Sequence, residues 1–139
     1  MRATCGLVVL IEAIAFFVGA GLHLGISLPV PFIETHHLSS AVLEAGSGVF
    51  LLIAAAAVLA HRPRAWKIAV AAHVTGVASI AFGIAKHGGG SAAQSSHHPA
   101  MLLVLIVVLI GLSTPPCRHA LETGRRHSRP RRRRILQAL

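Results

Sequence analysis

Residues 6–28 read GLVVLIEAIAFFVGAGLHLGISL. The run is apolar apart from Glu12, His23 and a few small residues. At about 1.5 Å per residue it reaches across the ~30 Å hydrocarbon core of a bilayer as a single helix. Pro29-Val30-Pro31 sets its expected end, because proline lacks the amide hydrogen that continues a helix. A cleaved signal peptide fits less well. The amino-terminal flank holds only Arg2, the apolar run is long, and Glu12 interrupts it. The stretch reads as a retained membrane helix.

Three more apolar blocks follow, at residues 41–60, 65–85 and 100–112. Ser39 or Ser40 suits the N-cap of the second block. Trp66 at the start of the third suits the headgroup level, where its ring meets both lipid and water. The fourth block is short and spans only by using its flanks. Spans at about 6–28, 41–60, 65–85 and 98–116 make residues 1–117 an all-α, four-helix transmembrane domain. Residues 118–139 form a basic tail with the composition of a disordered segment.

Composition excludes the soluble alternative. Of 139 residues, 54% are hydrophobic and 12% charged, with no aspartate, too few polar groups to coat a water-soluble domain. The net charge of +9 is concentrated, since eight of the 13 basic residues are arginines from Arg118 to Arg134. Arg62, Arg64 and Lys67 mark the turn between the second and third blocks, whereas the opposite loops hold only Lys86. By the positive-inside bias both termini are expected in the cytoplasm, in a multi-pass protein of the cell membrane. Cys5 and Cys117 stand alone near the two ends and form no CxxC pair. A disulfide is not expected between them on the reducing side, and a membrane thiol–quinone oxidoreductase is unfavoured.

This topology sorts the histidines. His36, His37, His87, His97 and His98 fall at the extracytoplasmic face, with His23 and Glu44 about one turn below it. Glu12 and His73 share a deeper level, about 11 Å from the cytoplasmic side. Glu12 and His23 lie eleven residues apart, close to three full turns, so they project from one helix face. An ionisable group in hydrocarbon costs several kcal/mol unless it is paired or faces a cavity. Glu12 with His73, and Glu44 with His23, are the simplest pairings that reduce this cost.

Imidazole and carboxylate together suit a transition metal ion, and imidazole suits haem. The candidate ligands are His23, Glu44 and His98, with His36, His37, His87 and His97 assisting. The competing expectation is that these groups are interhelical hydrogen bonds in a non-catalytic structural or accessory protein. No HExxH or Cys/His series is present, and no catalytic residue is assigned. Gly21 and Gly25, which bracket His23 as a GxxxG pair, are expected at a helix–helix contact, as are Gly46, Gly48, Gly76 and Gly83. Ala45-Gly46-Ser47-Gly48 lacks the first glycine of an intramembrane serine protease motif, and Lys86-His87-Gly88-Gly89-Gly90 lacks the context of a phosphate loop. The arginine tail is expected to contact anionic lipid headgroups. No aromatic residues interleave it for base stacking, so nucleic acid is disfavoured. Four short helices leave little room for a transport pathway, which directs attention to a homo-oligomer or a membrane complex.

Glu12 and His23 in the first helix, Glu44 in the second, Gly83 with a glycine-rich loop, and His98 before the last helix form a loose pattern. It resembles small four-helix integral membrane proteins of bacteria, most of them without assigned function. The resemblance covers about residues 6–113 and implies a bundle with a role for these polar positions, but no reaction. A four-helix haem-binding cytochrome needs histidines facing each other across the bundle, and His23 with His98 is the pair available.

Overall fold

The computed structural model describes residues 1–26, 37–87 and 97–122. These form five helices in the order α1 (Arg2–His23), α2 (Leu38–Leu59), α3 (Ala65–His87), α4 (His97–Ser113) and α5 (Pro115–Glu122), with no strand among the described residues. Three of them, α1, α2 and α3, are long and apolar enough to cross a membrane. A fourth span results if α4 and α5, bent by 72° at their junction, count as one. The proline pair Pro115-Pro116 stands at that bend, where proline ends one helix and is tolerated in the first turn of the next. Residues 118–122, assigned to the tail from composition, are therefore helical, and residues 123–139 lie outside the described part.

Helix α1 starts and stops earlier than its hydropathy suggests. Its carboxyl end is closed by Gly25 at φ 83°, a left-handed conformation that glycine adopts without a Cβ penalty. The Gly25 amide donates to the Leu22 carbonyl and the Ile26 amide to the Gly21 carbonyl, each at 2.9 Å. This is the Schellman pattern, and it leaves His23 as the last helical residue rather than one turn inside. Gly21 and Gly25 consequently serve the helix end. A Cβ on Gly21 would meet only Ile26 of the same turn. The glycines that admit a neighbour are Gly6 against Leu59, Gly19 against Glu44, Gly48 against Phe16 and Phe17, and Gly76 against Leu105. Gly46 and Gly83 face open space.

The helices pack in chain order: α1 on α2, α2 on α3, and α3 on α4. Val9, Ala13 and Phe16 of α1, Leu51, Ala54 and Val58 of α2, Ala69 of α3 and Leu105 of α4 are buried in the centre. Ile11, Ile14, Phe50, Ile53, Val74, Phe82, Leu103 and Ile110 are exposed on the outside, the inverse of a water-facing helix pattern. By contrast, α1 and α4 barely touch.

Long-range polar contacts fasten the basic end of the bundle. The Arg2 guanidinium donates to the carbonyls of Val58 (3.1 Å) and Ala120 (3.3 Å), and the Trp66 indole N–H donates to the Leu112 carbonyl at 2.8 Å. The Arg118 guanidinium lies 4.6 Å from the Trp66 ring centroid, a cation–π distance. Cys5 and Cys117, isolated in sequence, meet here with Sγ atoms 3.1 Å apart, both as free thiols. The thiolate is the attacking species in disulfide exchange, and an ordinary thiol is mostly protonated at neutral pH.

This proximity predicts that a mild oxidant such as diamide converts the pair to one intramolecular disulfide. Both free thiols should disappear, more quickly in alkaline than in neutral buffer, and Cys117→Ser should abolish the cross-link. Cross-linking exclusively between chains would show that α5 does not lie against α1.

Candidate metal centre

Two layers of ionisable side chains cross the apolar interior. In the deeper one, Glu12 of α1 is 5% exposed and His73 of α3 fully buried, with Glu12 Oε2 and His73 Nε2 2.8 Å apart. His73 Nδ1 lies 2.7 Å from the Ala69 carbonyl oxygen one turn back. A carbonyl only accepts, so Nδ1 carries the hydrogen and Nε2 faces the carboxyl group across one shared proton. Whether that proton sits on oxygen or on nitrogen, the pair has no net charge. This is why it is stable in an apolar interior.

The outer layer gathers three helix ends. His23 closes α1, Glu44 lies in the second turn of α2, and His98 is the second residue of α4. Glu44 Oε1 is 3.0 Å from His98 Nε2 and 3.5 Å from His23 Nε2. All three ligand atoms lie within 4.8 Å of one another. His23 and Glu44 are each 3% exposed, and the His98 side chain is part-buried. The His23 and His98 rings are stacked, with centroids 5.5 Å apart and planes at 18°. A void of about 10 Å³ beside Glu44 and His98, bordered also by Ser40 and Ser79, is near the lower limit for one water.

The expected partner of Glu44, His23, is thus joined by His98, which approaches more closely. His37, the residue preceding α2, brings its ring centroid to 6.4 Å from that of His23. His36 lies outside the described residues, as do the side chains of His87 and His97.

Gly19 is a site residue that the sequence reading missed. A Cβ there would overlap Glu44 Oε2, so the carboxylate lies directly against the α1 backbone. The available signal was position: Gly19 is one turn before His23, on the buried face of α1.

No family model, curated protein or solved structure matches the chain.

Gly19→Ala should force Glu44 away from the two histidines and cost about 1–3 kcal/mol, the usual range for overpacking. Gly46→Ala, on the same helix as Glu44 but facing open space, should stabilise by up to about 1 kcal/mol through helix propensity. Thermal unfolding in detergent of the two variants beside wild type measures the contrast, and equal effects would contradict the placement of Glu44.

Proposed function

We propose that this is a multi-pass protein of the cell membrane that binds one divalent first-row transition metal ion through His23, Glu44 and His98. The observation that carries this reading is the convergence of three ligand atoms from three helices to within 4.8 Å. Ligands of a tetrahedral ion at ~2.0–2.1 Å are about 3.3 Å apart. The two separations from Glu44 Oε1, 3.0 and 3.5 Å, bracket that value, and with all three atoms within 4.8 Å of one another an ion would draw the histidines slightly closer. Two imidazoles and a carboxylate suit zinc, copper(II) or iron, and no thiolate is nearby. His37 or a water in the adjoining void offers a further ligand.

Haem fits less well than an ion. A ligand of drug size occupies a cavity of roughly 300–1,000 Å³, whereas the void at Glu44 and His98 measures about 10 Å³. The two rings also stack side by side, where axial haem ligands need to point at one iron from opposite faces. The second reading is a structural tie without metal, in an accessory membrane protein. It is favoured by the His98–Glu44 distance of 3.0 Å, which is already a hydrogen bond.

Metal analysis and cobalt(II) absorption of the detergent-purified protein separate the two. The metal reading expects one ion per chain, with affinity falling at least tenfold in His23→Ala and in His98→Ala. The loss of one ligand in each accounts for this direction. Folded wild-type protein that takes up no stoichiometric cobalt or zinc would leave the structural tie standing.

We further propose four spans, the last broken at the α4–α5 bend, with both termini in the cytoplasm and the arginine-rich tail against anionic lipid. Arg2, Arg62, Arg64, Lys67 and Arg118 support this orientation, because all belong to one end of the bundle. A carboxyl-terminal phosphatase fusion that is active only outside the cytoplasm should be silent in cells. Strong activity would reverse the orientation.

A further inference from the structure

The gap between α1 and α4 is a cleft of about 340 Å³ whose walls include Ala15, Phe16, Leu22, Met101, Val104 and Leu105. Ala15 and Val104 are exposed, so the cleft opens on the side of the bundle, where the bilayer lies in the reading above. The one ionisable side chain in its lining is Glu12. While Glu12 Oε2 is bonded to His73, Oε1 is buried and has no hydrogen-bond partner among the described residues.

Proton accounting for the Glu12–His73 pair defines what this oxygen requires. With one proton shared between Oε2 and Nε2, Oε1 is either the carbonyl oxygen of a neutral acid or an oxygen of a carboxylate. It is an acceptor in both cases. Leaving a buried acceptor unsatisfied costs about 1–3 kcal/mol, so an occupant that brings a donor is selected over one that does not. A lone water is a poor candidate, because buried waters need two to four polar partners and the remaining lining is apolar. A lipid acyl chain fills the volume but leaves Oε1 as it was. A cation would satisfy Oε1 only by adding charge to a pair that is neutral and buried.

We propose that the α1–α4 cleft is a binding site for a membrane-soluble aryl alcohol, a phenol or quinol head on an apolar tail, whose hydroxyl donates to Glu12 Oε1 as the side chains closing over that buried oxygen move aside. The size agrees, since a cavity of about 150 Å³ accepts benzene and the cleft is roughly twice that, enough for a substituted ring and the start of a tail. Phe16 and Met101 offer a ring and a thioether, both favourable neighbours for an aromatic head. This site stands on Glu12 and His73 and does not depend on the metal reading.

The test uses the full chain in lipid nanodiscs, titrated calorimetrically with 4-decylphenol and with 4-decylanisole, against empty nanodiscs. The anisole has the same ring and tail but no donor, so it controls for partitioning into lipid. The phenol should bind saturably and about tenfold tighter or better, and Val104→Trp, which fills the mouth of the cleft, should abolish that preference. Glu12→Gln should retain it, because the amide N–H replaces the shared proton toward His73 and the amide oxygen remains an acceptor. Helical circular dichroism confirms that each variant is folded.

Equal binding of phenol and anisole would reduce the cleft to an apolar lipid groove and overturn the proposal. So would decylammonium binding more tightly than the phenol and losing that binding in Glu12→Gln, which would identify a cation site. Self-association that Val104→Trp disrupts, without saturable phenol binding, would instead assign the cleft to a second copy of the chain. Removal of metal by chelation should leave the phenol result unchanged, so that failure of the metal reading and failure of this one are told apart.

Discussion

A carboxyl group held at 5% exposure among apolar helices has to bring its partner with it, and Glu12 reaches that partner, His73, on a helix two elements away. Withdrawing one member of such a pair leaves an uncompensated buried group and costs about 3–5 kcal/mol. The contact therefore fixes the rotation of α1 and α3 about their axes as well as their depth. The ring of Phe16, one turn along α1, then reaches Gly76 of α3, while Gly48 of α2 leaves room for the Phe16 Cβ and the ring of Phe17. Eleven residues beyond Glu12, about 16 Å along the helix axis, the same face of α1 presents His23 to Glu44. The two polar layers are thus consequences of one helix orientation.

That orientation also explains why the layers differ in chemistry. His73 is held on one nitrogen by its own helix backbone and on the other by Glu12, so both ring nitrogens are engaged in a closed, neutral pair. In the outer layer one carboxylate oxygen faces two imidazoles, and Gly19 lets that carboxylate press against α1. The outer layer is thus a cluster of three ionisable groups around one oxygen, whereas the deeper layer is a one-to-one pair.

Much of this was legible in the sequence, for physical reasons that also mark where legibility ends. Apolar length located α1, α2 and α3, and the cost of burying Glu12 pointed to a histidine at equal depth, which is His73. The end of α1 was misplaced because hydropathy runs on to residue 28, while helix termination depends on a single backbone conformation at Gly25. The GxxxG around His23 was assigned to packing, since spacing alone does not distinguish a helix contact from a helix end. The meeting of Cys5 with Cys117 across 112 positions, and the separation of α1 from α4, depend on the α4–α5 bend. No local pattern reports the direction taken after a proline pair.

The weak contact between α1 and α4 has a further physical consequence. Near its carboxyl end α4 is tied to α3 by Trp66 and Leu112, and near its amino end it is tied by His98 to Glu44 of α2 and stacked on His23 of α1. Along α1 the cleft begins at Glu12 and runs to Leu22, one residue short of His23. The stacked rings, 5.5 Å apart, therefore close the cleft at its outer end, while Glu12 at its inner end is held by His73 of α3. The two ends stand about 16 Å apart along α1, so the carboxyl group keeps its place whatever the outer histidines hold.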